Sequence, residues 1–202
     1  MSMKRIVILL SLILSITIFS ADMKIYFADV GQGDGTVIIT PSGKTVVIDC
    51  ESGEGSTITD ILSSNGVSGS IDYMVATHYH AEHIGGLDEI IYAGYDVDMA
   101  CYDRGYSYGT PTFNNYKTAV QSTTGGRITA SLGSVIDLGD GVTMTFVTLN
   151  GEVFNSGGSI EPSNENDSGV SVIVQYGEFD LFIGGDIGDN QKGVLGDDVG
   201  DV

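Results

Sequence analysis

Apolar and polar positions alternate along this chain in short blocks, and most blocks have the length and period of strands. Residues 23–30 (MKIYFADV) predict a first strand with apolar residues on both faces. Gly31-Gln32-Gly33-Asp34-Gly35 breaks it. Residues 36–40 (TVIIT) and 45–49 (TVVID) flank Pro41-Ser42-Gly43, turn chemistry that predicts an antiparallel hairpin. A helix is predicted over 57–64, closed by Asn65-Gly66. The strand 73–77 then runs directly into a group of histidines. Further along, the pattern predicts a helix at 86–92, a strand at 97–102 and a helix at 113–121. Residues 135–138 and 142–149 form a hairpin across Gly139-Asp140-Gly141. Residues 150–167 are polar and rich in Gly and Ser, so they read as a long loop, and loops of that length are often functional. The last hairpin, 170–176 with 179–183, ends on Gly184-Gly185-Asp186. No internal repeat interrupts this order. Strands, then strand–helix alternation, then strands again suit a mixed α/β (α+β) sandwich flanked by helices, with a site at one rim.

The first twenty residues stand apart. Lys4 and Arg5 precede a nearly unbroken apolar run, residues 6–19, with Ser20 as a small residue at a cleavage point. The run is shorter than the ~20 residues a spanning helix needs. It reads as a secretory signal peptide over 1–20, leaving one domain over 21–202 and an exported protein with no membrane attachment after processing. The net charge is −19, and losing Lys4 and Arg5 makes it −21. So acidic a surface repels polyanions at long range, which argues against tight non-specific nucleic-acid binding. A metal site can still take one phosphodiester at close range, because bound cations dominate the local field. Export permits a disulfide between Cys50 and Cys101, but the strand at 73–77 is expected to lie between theirs, about two strand spacings of ~4.8 Å. The expectation is that they do not pair.

Chemistry concentrates in Thr77-His78-Tyr79-His80-Ala81-Glu82-His83-Ile84-Gly85-Gly86, where all three histidines of the chain fall within six residues. Imidazole and carboxylate are the nitrogen and oxygen donors zinc prefers. A tight loop after a strand turns His78 and His80 to one side and Glu82 and His83 to another, enough for two neighbouring metals. A surface cluster that merely scavenges metal fits poorly with the buried-type strand before it and the Gly-Gly turn after it. Asp186, after an apolar strand and two glycines, is placed for a rim, although an aspartate ending a strand is common. Asp29 and Asp34 flank a glycine-rich turn and suit orienting metal-bound histidines or simply capping the turn. Asp49 reads as another rim carboxylate or a cap. Asn166 offers a carbonyl oxygen or an amide donor, against a background of ordinary loop composition.

The histidine segment resembles the His-x-His-x-Asp-His signature of the metallo-β-lactamase superfamily. With Asp29-Val30-Gly31-Gln32-Gly33-Asp34, Val47-Ile48-Asp49, Asn166-Asp167 and Gly185-Asp186 in order, residues 23–202 resemble one branch of it. That branch is the hydrolase domain of competence-type DNA-internalisation proteins and their free-standing secreted relatives. The resemblance implies a four-layer αββα sandwich with two metals, usually zinc. It assigns His78 and His80 to the first metal, Glu82 and His83 to the second, Asp186 as a bridge, and Asn166 to a position where other members carry a further histidine. It makes Asp186, Glu82 and Asn166 the catalytic group and a phosphodiester of extracellular nucleic acid the expected substrate, attacked by a metal-activated water. Ring-opening of a lactone or β-lactam is the alternative, and a non-catalytic secreted binding module is the third. Two departures bear on this. Glu82 stands where the family has Asp, and the family's later His-His-Gly-Ser segment is absent. The chain therefore reads as truncated at its C-terminus, with an incomplete sandwich and a weakened second metal site.

Overall fold

The computed structural model describes residues 22–155 and 159–188. The expected signal segment at 1–20 and the expected C-terminal incompleteness both fall outside the described residues.

Two sheets face each other. The first holds β1 (Lys24–Phe27), β2 (Thr36–Ile39), β3 (Thr45–Ile48), β4 (Ser70–Val75), β5 (Asp96–Asp103) and β6 (Arg127–Thr129), in that spatial order. Pairing is antiparallel through β1, β2 and β3, then parallel through β4, β5 and β6. The second sheet is antiparallel, ordered β11 (Phe179–Ile183), β10 (Ser171–Tyr176), β8 (Val142–Leu149), β7 (Val135–Asp137), with β9 (Glu152–Val153) paired to β8.

Period-two alternation decides which layer each side chain enters. In β3, Val47 faces the helical side while Val46 and Ile48 face the second sheet, and all three are buried. In β2, Val37 and Ile38 divide the same way. These strands are apolar on both faces because they lie between two cores, each buried Val or Ile contributing about 1.5–3 kcal/mol. The helical layer is α1 (Gly55–Ser64), α2 (Ala81–Ile84), α3 (Leu87–Tyr92) and α4 (Pro111–Ser122). All four put buried side chains, among them Ile58, Ile84, Leu87 and Phe113, into the core against the first sheet. Thr110 caps α4 by accepting from the Phe113 N–H at 3.2 Å, with Pro111 opening the helix. The result is the mixed α/β sandwich read from the pattern. Among the described residues it comprises a helical layer and two sheets.

Several boundaries differ from the pattern. β1 stops at Phe27 rather than at 30: one last ladder bond, from the Ala28 N–H to the Gly35 carbonyl at 2.8 Å, precedes the glycine-rich loop. The turn α2 and the short strands β6 and β9 carry too few residues to show a period. The expected long loop contains β9 and a 3-10 turn, Asn166–Ser168. Cys50 and Cys101 are free and buried, with β4 between β3 and β5 as the spacing argument required.

Candidate metal centre

The site forms where parallel strands of the first sheet end. Beyond β3 the chain passes through Asp49, a non-glycine residue at φ 57°. This left-handed conformation costs a residue with a Cβ roughly 1–2 kcal/mol and persists only where the surroundings fix it. Here three contacts do so. Asp49 Oδ1 accepts from the Thr77 N–H at 2.8 Å, and its Oδ2 accepts from the Thr77 hydroxyl at 2.5 Å. The same Oδ2 lies 2.9 Å from His83 Nδ1. Asp49, Thr77, His78 and His83 are all buried.

These bonds fix the imidazole tautomers. A carboxylate facing His83 Nδ1 holds a proton there, so Nε2 is the nitrogen left to bind a metal once its own proton is gone. The Thr77 hydroxyl spends its hydrogen on Asp49, so at 3.1 Å from His78 Nδ1 it acts as the acceptor. His78 therefore also keeps its proton on Nδ1 and presents a bare Nε2. That Nε2 lies 3.1 Å from His80 Nδ1, and His83 Nε2 lies 3.5 Å from Asp186 Oδ1. Donor atoms on one tetrahedral zinc stand roughly 3.3–3.5 Å apart, from bonds of ~2.0–2.2 Å. The donor set and its spacing fit zinc.

One ligand atom each from His78, His83 and Asp186 falls within a 4.8 Å group, and Asp34, Asp49 and His83 form a second such group. His80 stands at the N-terminal end of α2, adjacent to the first group through His78. Glu82 enters neither group. Residues 82 and 83 are consecutive on the turn α2 and so point in different directions, with His83 buried and Glu82 half-buried. Gly33 packs on this turn so closely that a Cβ there would sit 1.7 Å from the Glu82 carbonyl oxygen. Asp29 is exposed and belongs to neither group. Asn166 lies on the 3-10 turn, and its Oδ1 is buried without a hydrogen-bond partner, an acceptor open to a donor or a cation.

The two buried histidines have opposite electrostatics. Burial first, then the neighbouring His83 and His80, push His78 down to about 3, which keeps it neutral as a metal ligand must be. Burial also disfavours the charge on His83. The Asp49 hydrogen bond and charge, with Asp186 and Asp34, outweigh that and raise it to about 9. Without a metal His83 is therefore charged at neutral pH, and a metal at Nε2 takes the place of its proton among the carboxylates of Asp49, Asp186 and Asp34.

The sequence pattern did not reveal the layer beneath the loop. Tyr79, between the two histidines, is fully buried. Its hydroxyl accepts from Arg127 Nη2 at 2.8 Å, and its ring lies 4.6 Å from that of Phe113. Asp103, also fully buried, accepts from Arg127 Nε at 2.5 Å and from the Tyr116 hydroxyl at 3.0 Å. Arg104 and Glu165 pair nearby. One signal pointed this way: in a chain with only 8 basic residues against 27 acidic ones, an arginine directly after a buried strand has a reason to be there.

A two-sheet α/β sandwich whose strand ends present buried imidazoles and a rim carboxylate defines a metal-binding class of the hydrolase type. The chain belongs to the metallo-beta-lactamase superfamily, whose sequence profile matches residues 28–201. That superfamily binds metal ions, usually zinc, and consists typically of metal-dependent hydrolases, with some non-hydrolytic members. Among solved structures, the chain resembles a HARLDQ-motif mutant of the metallo-beta-lactamase of Cronobacter sakazakii. The TM-score is 0.50 at 15% identity, over 78% of this chain and 59% of that one. It also resembles CmlA, a diiron beta-hydroxylase from Streptomyces venezuelae, with a TM-score of 0.51 at 11% identity, over 89% of this chain and 33% of that one. The chain thus spans less than two thirds of either structure, and these likenesses concern the fold. No curated protein matches the chain.

Proposed function

We propose that this protein is a secreted, zinc-dependent phosphodiesterase acting on extracellular nucleic acid. The observation that carries the reading is the convergence of His78, His83 and Asp186 within 4.8 Å, with His80 Nδ1 3.1 Å from His78 Nε2. In this reading His78 and His80 would hold one zinc and His83 a second, with Asp186 as their carboxylate ligand and Glu82 joining His83 on the strength of the motif alone. Zinc bound there supplies Lewis acidity and acidifies a water enough for attack near neutral pH. The side chains do the rest. Asp49 and Thr77 hold both imidazoles in the ligand tautomer. Asp186, 45% exposed, reaches solvent, orients the attacking water and accepts its proton. Asn166 offers its unpartnered Oδ1 as an acceptor at the same rim.

The phosphodiester assignment rests on the likeness of the ordered motifs to the competence-type branch, and export rests on the apolar segment at 6–19. The net charge of −19 gives the substrate no long-range attraction, so turnover should show a high KM for polymeric DNA and a lower one for small diesters. The test is a substrate panel on zinc-loaded protein: bis-p-nitrophenyl phosphate and plasmid DNA against nitrocefin and acyl-lactones. Diester turnover alone is expected. Turnover confined to nitrocefin or lactones would replace the assignment with ring-opening, and no turnover at all with bound zinc would favour a binding module.

A further inference from the structure

We infer that Glu165 and Arg104 are positioning residues that hold the histidine loop in register with the loop opposite it. Glu165 Oε1 accepts from the backbone N–H of Tyr79, the residue between His78 and His80, at 2.9 Å. The same oxygen accepts from Arg104 Nε at 2.9 Å, and Oε2 accepts from Arg104 Nη2 at 2.5 Å. Both side chains are nearly buried, at 6% and 8% exposure. The Arg104 guanidinium lies 4.5 Å from the Tyr79 ring centroid, so it grips the loop residue's ring while the carboxylate holds its backbone. Asn150 Nδ2 donates to the Arg104 carbonyl at 3.2 Å, and the Val170 N–H donates to the Thr77 carbonyl at 2.7 Å. The stretch carrying Glu165 and Asn166 is thereby fastened to the histidine loop through Glu165 at Tyr79 and through Val170 at Thr77.

The geometry has a chemical consequence. The planar arginine fork fixes both oxygens of Glu165, so the direction of its lone pair toward Tyr79 is set. Tyr79 in turn fixes the backbone between two imidazoles whose nitrogens stand 3.1 Å apart. Among the described residues no hydrogen bond joins the pair to a donor atom of the site; it holds the loop through Tyr79, while the Arg104 charge also bears on His78. This role rests on the metal-site reading above.

Two double variants isolate it. Arg104→Met with Glu165→Gln removes both charges but keeps an oxygen for the Tyr79 N–H. Arg104→Met with Glu165→Met removes both charges and the acceptor. Neither leaves an unpaired buried charge. Three readouts apply: melting temperature, hydrogen exchange of the Tyr79 amide in zinc-free protein, and zinc Kd by competition with a chromophoric chelator. The Met/Gln variant is expected to stay close to the parent in exchange and Kd. The Met/Met variant should exchange Tyr79 faster and bind zinc about 10–100-fold more weakly, the usual effect of losing an outer partner of a ligand. If Met/Met does not fold, Arg104→Lys decides, since it keeps the charge pair but cannot hold both oxygens. It should weaken zinc binding with little change in melting temperature. Equal zinc Kd in the parent and the folded variants, with only melting temperature changed, would overturn the positioning role. A parent protein that takes up no zinc would instead sink the metal reading beneath it.

Discussion

The two rims of the site are built on opposite plans. On the first-sheet rim, Asp49, Thr77, His78 and His83 are buried and joined by hydrogen bonds of 2.5–3.1 Å, with a left-handed aspartate held in place by them. On the second-sheet rim, Asp186 follows Gly184-Gly185 beyond β11 and is 45% exposed. The closed rim holds its donors in one tautomer and one orientation before any ligand arrives. The open rim presents a carboxylate to solvent. On the proposed function, the closed rim would contribute most of the affinity for the metal and the open one would serve turnover.

The largest effect should come from removing donors of the closed side. The double variant His78→Ala, His80→Ala is expected to lose most bound zinc, more than the ~10–100-fold that loss of an outer partner brings. Inductively coupled plasma mass spectrometry with circular dichroism as a fold check measures this. Full zinc content in the folded variant would break the assignment of affinity to that rim. Asp186→Ala should do the reverse. Turnover of bis-p-nitrophenyl phosphate is expected to fall about 10²–10⁴-fold, the usual worth of a positioned acid–base group. Stability should move by only about 0.5 kcal/mol, as for other exposed positions. Normal turnover in zinc-replete protein would remove Asp186 from the chemistry.

Sequence pattern alone gave much of the closed rim and little of what supports it. The histidine segment was legible because its donors are close in sequence and follow a strand with a clear apolar period. Asp49 was visible only as a rim carboxylate or a cap, since its partners Thr77 and His83 lie 28 and 34 residues away. The Arg104–Glu165 pair spans 61 residues and the Asp103–Arg127 pair 24, and no local period reports contacts of that kind. Glu82 shows the converse limit. Its place on a metal with His83 is carried by the motif alone, since its carboxylate is in neither donor group.

Asp49→Asn tests the closed rim at its hub, with a smaller expected effect. The amide keeps one oxygen to accept from Thr77 but loses the charge that faces His83. Zinc affinity should weaken about 10–100-fold while the sandwich stays folded. A chelator competition assay reads the change. A Kd equal to the parent's would mean that His83 needs no charged partner, and that the closed rim's hydrogen bonds serve the fold alone.

The smallest effect tests whether the rims are independent. They meet at Gly185, which has φ 54°, and a Cβ built there would lie 2.6 Å from Thr77 Oγ1 and 2.8 Å from Thr77 Cβ. Gly177, in the turn between β10 and β11, has a similar φ of 62° but would meet nothing within 4 Å. Alanine at either position pays the same left-handed penalty, about 1–2 kcal/mol. Only at position 185 does it also press on the hydroxyl that donates to Asp49 and accepts from His78. Gly177→Ala should therefore lower stability by that backbone amount and leave zinc Kd unchanged. Gly185→Ala should lower stability further and weaken zinc binding as well, because the Thr77 hydroxyl must move from between Asp49 and His78. Denaturant melts on zinc-free protein and chelator competition on both variants supply the comparison. If the two variants lose equal stability and both keep the parent's Kd, the open rim does not bear on the closed one, and each can be altered without the other.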